Sequence, residues 1–312
     1  MKVQANGLAI EIDDRGPRDA PALLMIMGLG MQLTAWPERL VELLVERGFR
    51  VIRFDNRDIG LSEGFEHAGP PRVALAALRH ALGLRVRSPY TLADMSRDAL
   101  GVLDALGIER AHVCGASLGG MVAQHLAAGH PARLASLTLM MTTTGARGLP
   151  GPTLRARRVL LMKPRGLTRE ASVRRAMTVF TTIGSPGYRP EPTVFRERIE
   201  ASFQRAWRPT GSPRQLLAIA ADGDRTPLLA RIVAPTLVIH GVDDPLVPVA
   251  NGRELAARIA GAEADFIEGM GHDLPEALLE RFADRIAANA ARGPSALAPR
   301  APGRPATSAS TR

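Results

Sequence analysis

The sequence predicts an α/β protein, with a mostly parallel central sheet flanked by helices and a helical cap inserted in the middle of the chain. Three observations predict it. Short, wholly apolar runs such as residues 22–27 suit strands buried on both faces. These runs alternate with segments of helical periodicity, the pattern of parallel strands joined by right-handed crossovers. The alternation breaks over residues 146–231 and then resumes, which marks that stretch as an insertion.

The elements follow in order. Residues 3–6 and 8–13 alternate around Gly7 and predict a hairpin. The run 22–27 is the first buried strand. Residues 36–47 place Leu40, Leu43 and Leu44 at helical spacing, with Gly48 as a stop. Residues 50–54 form the next strand, and 55–62 a turn-rich loop pinned by Asp55 and Arg57. Thr91 is the N-cap of a helix through Leu106, ended by Gly107. Residues 111–115 form a strand, 119–129 a helix and 134–141 another strand. After the break come strand 235–240, helix 250–259, strand 264–267 and helix 275–291. The expected domains are therefore a core of 1–145 and 232–291, a helical cap of 146–231, and a disordered basic tail of 292–312, built from Pro, Ala, Ser, Thr and Arg.

With hydrophobic residues at 46% and charged residues at 23%, the chain can bury a sizeable core. Aromatics make up only 4%, so aliphatic residues and methionine must fill it. The net charge of +9 is unevenly placed. Residues 146–231 hold 17 Arg and Lys against 6 Asp and Glu, and residues 292–312 hold 4 Arg and no acid. No helix-turn-helix, zinc-finger or RNP-type signature accompanies this charge, so it reads as solvated surface and no nucleic-acid partner is expected. The one cysteine, Cys114, supplies neither a disulfide nor a metal cluster. Residues 1–14 lack a basic start followed by an apolar run, and no stretch of about 18 apolar residues exists. A cytoplasmic protein with no membrane partner is expected.

The chemistry centres on Gly115-Ala116-Ser117-Leu118-Gly119. An apolar strand runs into it and a helix follows it. Such a sharp turn strains the serine backbone, lifts its oxygen above the sheet, and sets it beside a helix N-terminus that favours developing negative charge. Flanking glycines remove the clashes that the turn creates. Ser117 is the expected nucleophile and His272 its base, because His272 lies in the Glu268-Gly269-Met270-Gly271-His272 loop after the last strand. Either Asp243 or Asp244 can orient the histidine. Asp244 is favoured, three residues after the strand-end Gly241. The order Ser117, Asp244, His272 is the chain order of a strand-edge triad. The oxyanion donors are expected from the amides of Leu118 and Leu29, the latter in Gly28-Leu29-Gly30. A dinucleotide fingerprint would need glycine at position 33, which is Leu33, so no cofactor is expected. Met31, Met121 and Met270 are candidate substrate contacts, since methionine adapts to irregular apolar groups. No metal site is expected.

Gly28-Leu29-Gly30, the segment 54–62 (FDNRDIGLS), Gly115 to Gly119, Gly241 to Pro248 and Gly269 to His272 together resemble the α/β-hydrolase superfamily. The stretch MGLG…AWP…RFDNRD is particularly similar to bacterial esterases of the aclacinomycin methylesterase type. The resemblance covers about residues 20–290. It implies an α/β-hydrolase fold, a helical lid, a small-molecule ester substrate and no cofactor. The same triad could serve a perhydrolase, thioesterase or enol-lactonase, or the fold could bind a ligand with negligible turnover. Two positions depart from many relatives: Met27 stands where they carry histidine, and Asp58 where they often carry glycine.

Overall fold

In the computed structural model, which describes residues 1–162, 166 and 168–293, eight strands form one sheet. They are β1 (Lys2–Ala5), β2 (Leu8–Arg15), β3 (Ala22–Ile26), β4 (Arg50–Phe54), β5 (Ala111–Ala116), β6 (Leu134–Met140), β7 (Thr236–Gly241) and β8 (Glu263–Ile267). Their order across the sheet is β1-β2-β4-β3-β5-β6-β7-β8. The β1–β2 hairpin pairs antiparallel to β4, and β3 to β8 run parallel. The hairpin turn is Asn6-Gly7, both at positive φ, the geometry whose twist matches the flanking strands.

The helices are α1 (Glu38–Glu46), α2 (Val73–Ala81), α3 (Leu92–Ala105), α4 (Leu118–Gly129), α5 (Leu154–Leu161), α6 (Arg169–Ile183), α7 (Pro192–Arg205), α8 (Gly211–Asp222), α9 (Thr226–Leu229), α10 (Ala250–Arg258) and α11 (Leu279–Ala291). Side chains along a strand point alternately to opposite faces, and β3 shows the consequence. Leu24 and Ile26 belong to the core layer that α3, α4 and α10 cover on one face, while Leu23 and Met25 belong to the layer that α1 and α11 cover on the other. The α3 helix starts where expected, with Thr91 and Asp94 forming a reciprocal capping box. Its C-terminal neighbour Gly107 adopts positive φ. Helix α2 was not anticipated.

Between β6 and β7 the described residues contain five helices, α5 to α9, and no strand. Of the tail expected over 292–312, residues 294–312 lie outside the described residues. Arg292 bonds to the Gly261 carbonyl at 2.7 Å. No helix among the described residues is long and apolar enough to cross a membrane.

Because β3, β5, β7 and β8 are parallel, the loops that follow them emerge along one edge of the sheet. These loops carry Leu29, Ser117, Asp244 and His272.

Candidate active site

Ser117 joins β5 directly to α4 with φ 52 and ψ −115, a conformation that side chains rarely hold without support. The Ser117 amide donates to the Met140 carbonyl at 2.8 Å, and the Thr142 hydroxyl donates to the Ser117 carbonyl at 2.7 Å. Close approach makes the flanking glycines obligatory. A Cβ at Gly119 would lie 1.9 Å from the Ile26 carbonyl oxygen, and one at Gly115 2.3 Å from the Gly119 oxygen. Gly119 thus lets the first turn of α4 sit against the end of β3.

The structure brings the three expected residues together. His272 Nε2 stands 3.0 Å from Ser117 Oγ, and His272 Nδ1 stands 2.6 Å from Asp244 Oδ2. Asp244 and His272 are buried, and Ser117 is half-buried. The other Asp244 oxygen accepts the amides of Leu246 and Val247, both at 2.8 Å, which fixes the carboxylate. Asp243 serves elsewhere, accepting the Gly269 amide at 2.8 Å and so tying the aspartate loop to the histidine loop. His240 lies beneath Asp244, fully buried, with Nε2–H donating to the Val247 carbonyl at 2.7 Å. Burial pushes its pKa down, so the ring is neutral and adds no charge to the site.

The Leu29 and Leu118 amides have no acceptor among the described residues. The Gly28 loop abuts the serine: a Cβ at Gly28 would be 3.3 Å from Ser117 Cβ. Asn56 Nδ2 donates to the Met27 carbonyl at 2.8 Å and anchors this loop from below. This arrangement can take a proton from a serine hydroxyl and bind a developing oxyanion at the same point. Among the described residues, no group of three or more His, Cys, Asp or Glu is placed to hold a metal ion.

The methionines expected at the substrate divide. Met31 is half-buried against the core beside α1 and α11. Met121 is nearly buried on the first turn of α4. Met270 is a correction: it is fully buried in the core on the α11 side, where Gly241 packs against its carbonyl, and it has no surface to offer a ligand. In the loop after the last strand, the apolar residue points into the protein while the glycines carry the bend.

Four residues that the sequence did not single out hold the site. Gln215 on α8 accepts the Gly30 amide at 2.9 Å and donates to the Arg57 carbonyl at 3.1 Å. Ser185, just beyond α6, accepts the Gly271 amide at 2.8 Å and hydrogen-bonds Asp273, while the His272 amide donates to the Ile183 carbonyl at 2.8 Å. Burial raises the Asp273 carboxyl above its ordinary value, against the pull of the Ser185 hydroxyl and amide. Arg214 forks onto Asp58 at 2.6 and 2.7 Å. Of the two residues expected to pin the 55–62 loop, Asp55 accepts the amides of Leu33 and Leu61, and Arg57 pairs with Asp98 on α3.

A serine at such an elbow on a sheet of this order is the hallmark of the α/β hydrolases. Residues 21–276 match the family model described as alpha/beta hydrolase fold, and the chain belongs to that family of enzymes. Its relatives include rhodomycin D methylesterase DauP of Streptomyces sp., 32% identical over 88% of this chain and 91% of that protein. A putative carbamate hydrolase, RutD of Variovorax paradoxus, is 30% identical over 85% of this chain and 90% of its own. Among solved structures, the enol-lactonase from Burkholderia xenovorans superposes with a TM-score of 0.69 at 25% identity, covering 93% of this chain and 99% of that one.

Proposed function

We propose that this protein hydrolyses carboxylic esters, methyl esters of apolar molecules among them, through Ser117, His272 and Asp244. The observation that carries the reading is the unbroken relay from the Asp244 carboxylate through His272 to the Ser117 oxygen, beside two unpaired amides. Its likeness to a named methylesterase supports the ester class.

The steps follow from the geometry. His272 Nε2 accepts the Ser117 proton as Oγ attacks the ester carbonyl. The carbonyl oxygen becomes an oxyanion held by the Leu29 and Leu118 N–H groups, whose orientation is fixed before reaction. The Nδ1–H bond to Asp244 holds the tautomer and stabilises the imidazolium. Collapse of the tetrahedral adduct expels the alkoxide, which takes the proton from Nε2 and leaves as alcohol. Water, deprotonated by His272, then attacks the acyl-serine, and a second collapse releases the acid and restores the Ser117 hydroxyl. The helical segment 146–231 serves as the cap over this edge.

The test is a series of p-nitrophenyl esters of increasing chain length, together with an apolar methyl ester assayed for methanol and a small lactone. Ester turnover, with a fluorophosphonate adduct mapped to Ser117, is expected. Failure of every ester and of Ser117 labelling would sink the assignment.

The reading also assigns Gln215 a positioning role. Gln215→Ala removes the acceptor that aims the Gly30 amide and, with it, the oxyanion loop. One hydrogen bond of about 1 kcal/mol translates to roughly a five- to tenfold fall in kcat. KM should move less. Gln215→Glu retains the acceptor and is expected to recover part of the loss; steady-state kinetics on both variants decide it.

A further inference from the structure

Helix α2 lies outside everything assigned above. Ala76 is its only buried residue, and it packs toward α8. Leu75, Leu78 and Leu82 recur at spacings of three and four, so they share one face. On the helical wheel that face is turned away from Ala76. They are 48%, 57% and 64% exposed, and Leu84 beyond them is 50% exposed. Large aliphatic side chains gathered on one exposed face mark a docking surface rather than ordinary exposure.

The charge around them has one sign. From His67 to Ala93 the chain has no Asp or Glu, while Arg72, Arg79, Arg85 and Arg87 ring the leucines. None of these four has a carboxylate partner among the described residues, and the two acids that flank the stretch, Glu66 and Asp94, are paired with Arg208 and Arg97, Asp94 also accepting from Thr91. Arg79, Arg85, Arg87, Ser88 and Thr91 line a cavity of about 550 Å³ beside the helix. Ser88 Oγ is buried there with no hydrogen-bond partner.

We infer that this face docks on an anionic phospholipid surface, with the leucines at the acyl boundary and a lipid phosphate in the arginine-lined cavity. A leucine face flanked by arginines is the composition that lies in a membrane interface, where apolar burial and attraction to anionic lipid act together. Charge argues against the other occupants. A second copy would bring four arginines against four, and the segment 294–312 carries arginine and no acid.

The experiment is flotation of the full chain with phosphatidylcholine vesicles, with and without phosphatidylglycerol. Binding at least about tenfold stronger to the anionic vesicles is expected, falling steeply at high salt. Leu78→Glu/Leu82→Glu and Arg79→Glu/Arg85→Glu should each lose that binding. Both should cleave a short water-soluble ester as the wild type does, which reports an intact fold. Three results would overturn the proposal. These are wild-type indifference to phosphatidylglycerol, flotation of both variants like wild type, and dimerisation through the leucine face that the variants abolish.

Discussion

Ser117→Ala is expected to lower ester turnover by at least about three orders of magnitude, with the fold unchanged. The variant keeps the Cβ, so the positive-φ turn carries the same strain as before, and α4 remains seated against β3. What disappears is the oxygen 3.0 Å from His272 Nε2. The Leu29 and Leu118 amides survive the change. Residual catalysis on the order of a thousandfold over water can therefore remain, since oxyanion donors and binding act without the nucleophile. Initial rates under matched conditions, with circular dichroism as the control, measure the effect. Equal turnover in variant and wild type would remove Ser117 from the mechanism.

The second large effect concerns stability. Asp58 and Arg214 are 0% and 1% exposed, and their fork joins the 55–62 loop to α8. The Asp58 oxygens also accept the Phe65 amide at 3.1 Å and the Tyr90 hydroxyl at 3.0 Å. Arg214→Ala leaves a buried carboxylate without its cation, a loss of about 3–5 kcal/mol. A melting temperature lower by on the order of ten degrees is expected. Asp58→Gly alone strands the guanidinium instead, although glycine suits the φ of +74 that Asp58 adopts. The double variant Asp58→Gly/Arg214→Met, which removes both charges, should be more stable than either single change; thermal denaturation of all three closes the cycle. Acid gives an independent reading. Burial alone raises the Asp58 carboxyl, but Arg214, the Phe65 amide and Tyr90 outweigh it and hold it below the ordinary 3.8. The pair therefore contributes its full stability above that value and loses it as pH falls through the lowered one. A melting temperature for Arg214→Ala that matches wild type at neutral pH would refute this account.

Much of the core was legible because its signals are local. The run 22–27 is apolar throughout since both faces of β3 are covered, while β4 mixes Val51, Ile52 and Phe54 with Arg50 and Arg53, which are buried against Asp14, Asp13 and Glu38. Ser117, Asp244 and His272 could be read because each follows a strand on the same edge, so chain order carries the geometry. The supports were not legible. Gln215 meets Gly30 across 185 positions, and Arg214 meets Asp58 across 156. No periodicity links such pairs. Asp58 stood out only as a departure from glycine, without a sign of the arginine that compensates it. Helix α2 escaped notice because its leucine stripe faces outward and only Ala76 is buried, so its apolar side does not mark a face turned to the core. Met270 misled because proximity along the chain to His272 says nothing about which way a loop side chain turns.

The segment between β6 and β7 grips the catalytic edge twice, through Gln215 on Gly30 and through Ile183 and Ser185 on the histidine loop. A displacement of that segment is therefore coupled to both loops. On the ester-hydrolase reading, breaking those bonds would disturb the Leu29 loop and the His272 loop together, so the position of this segment and the readiness of the site are one linked variable.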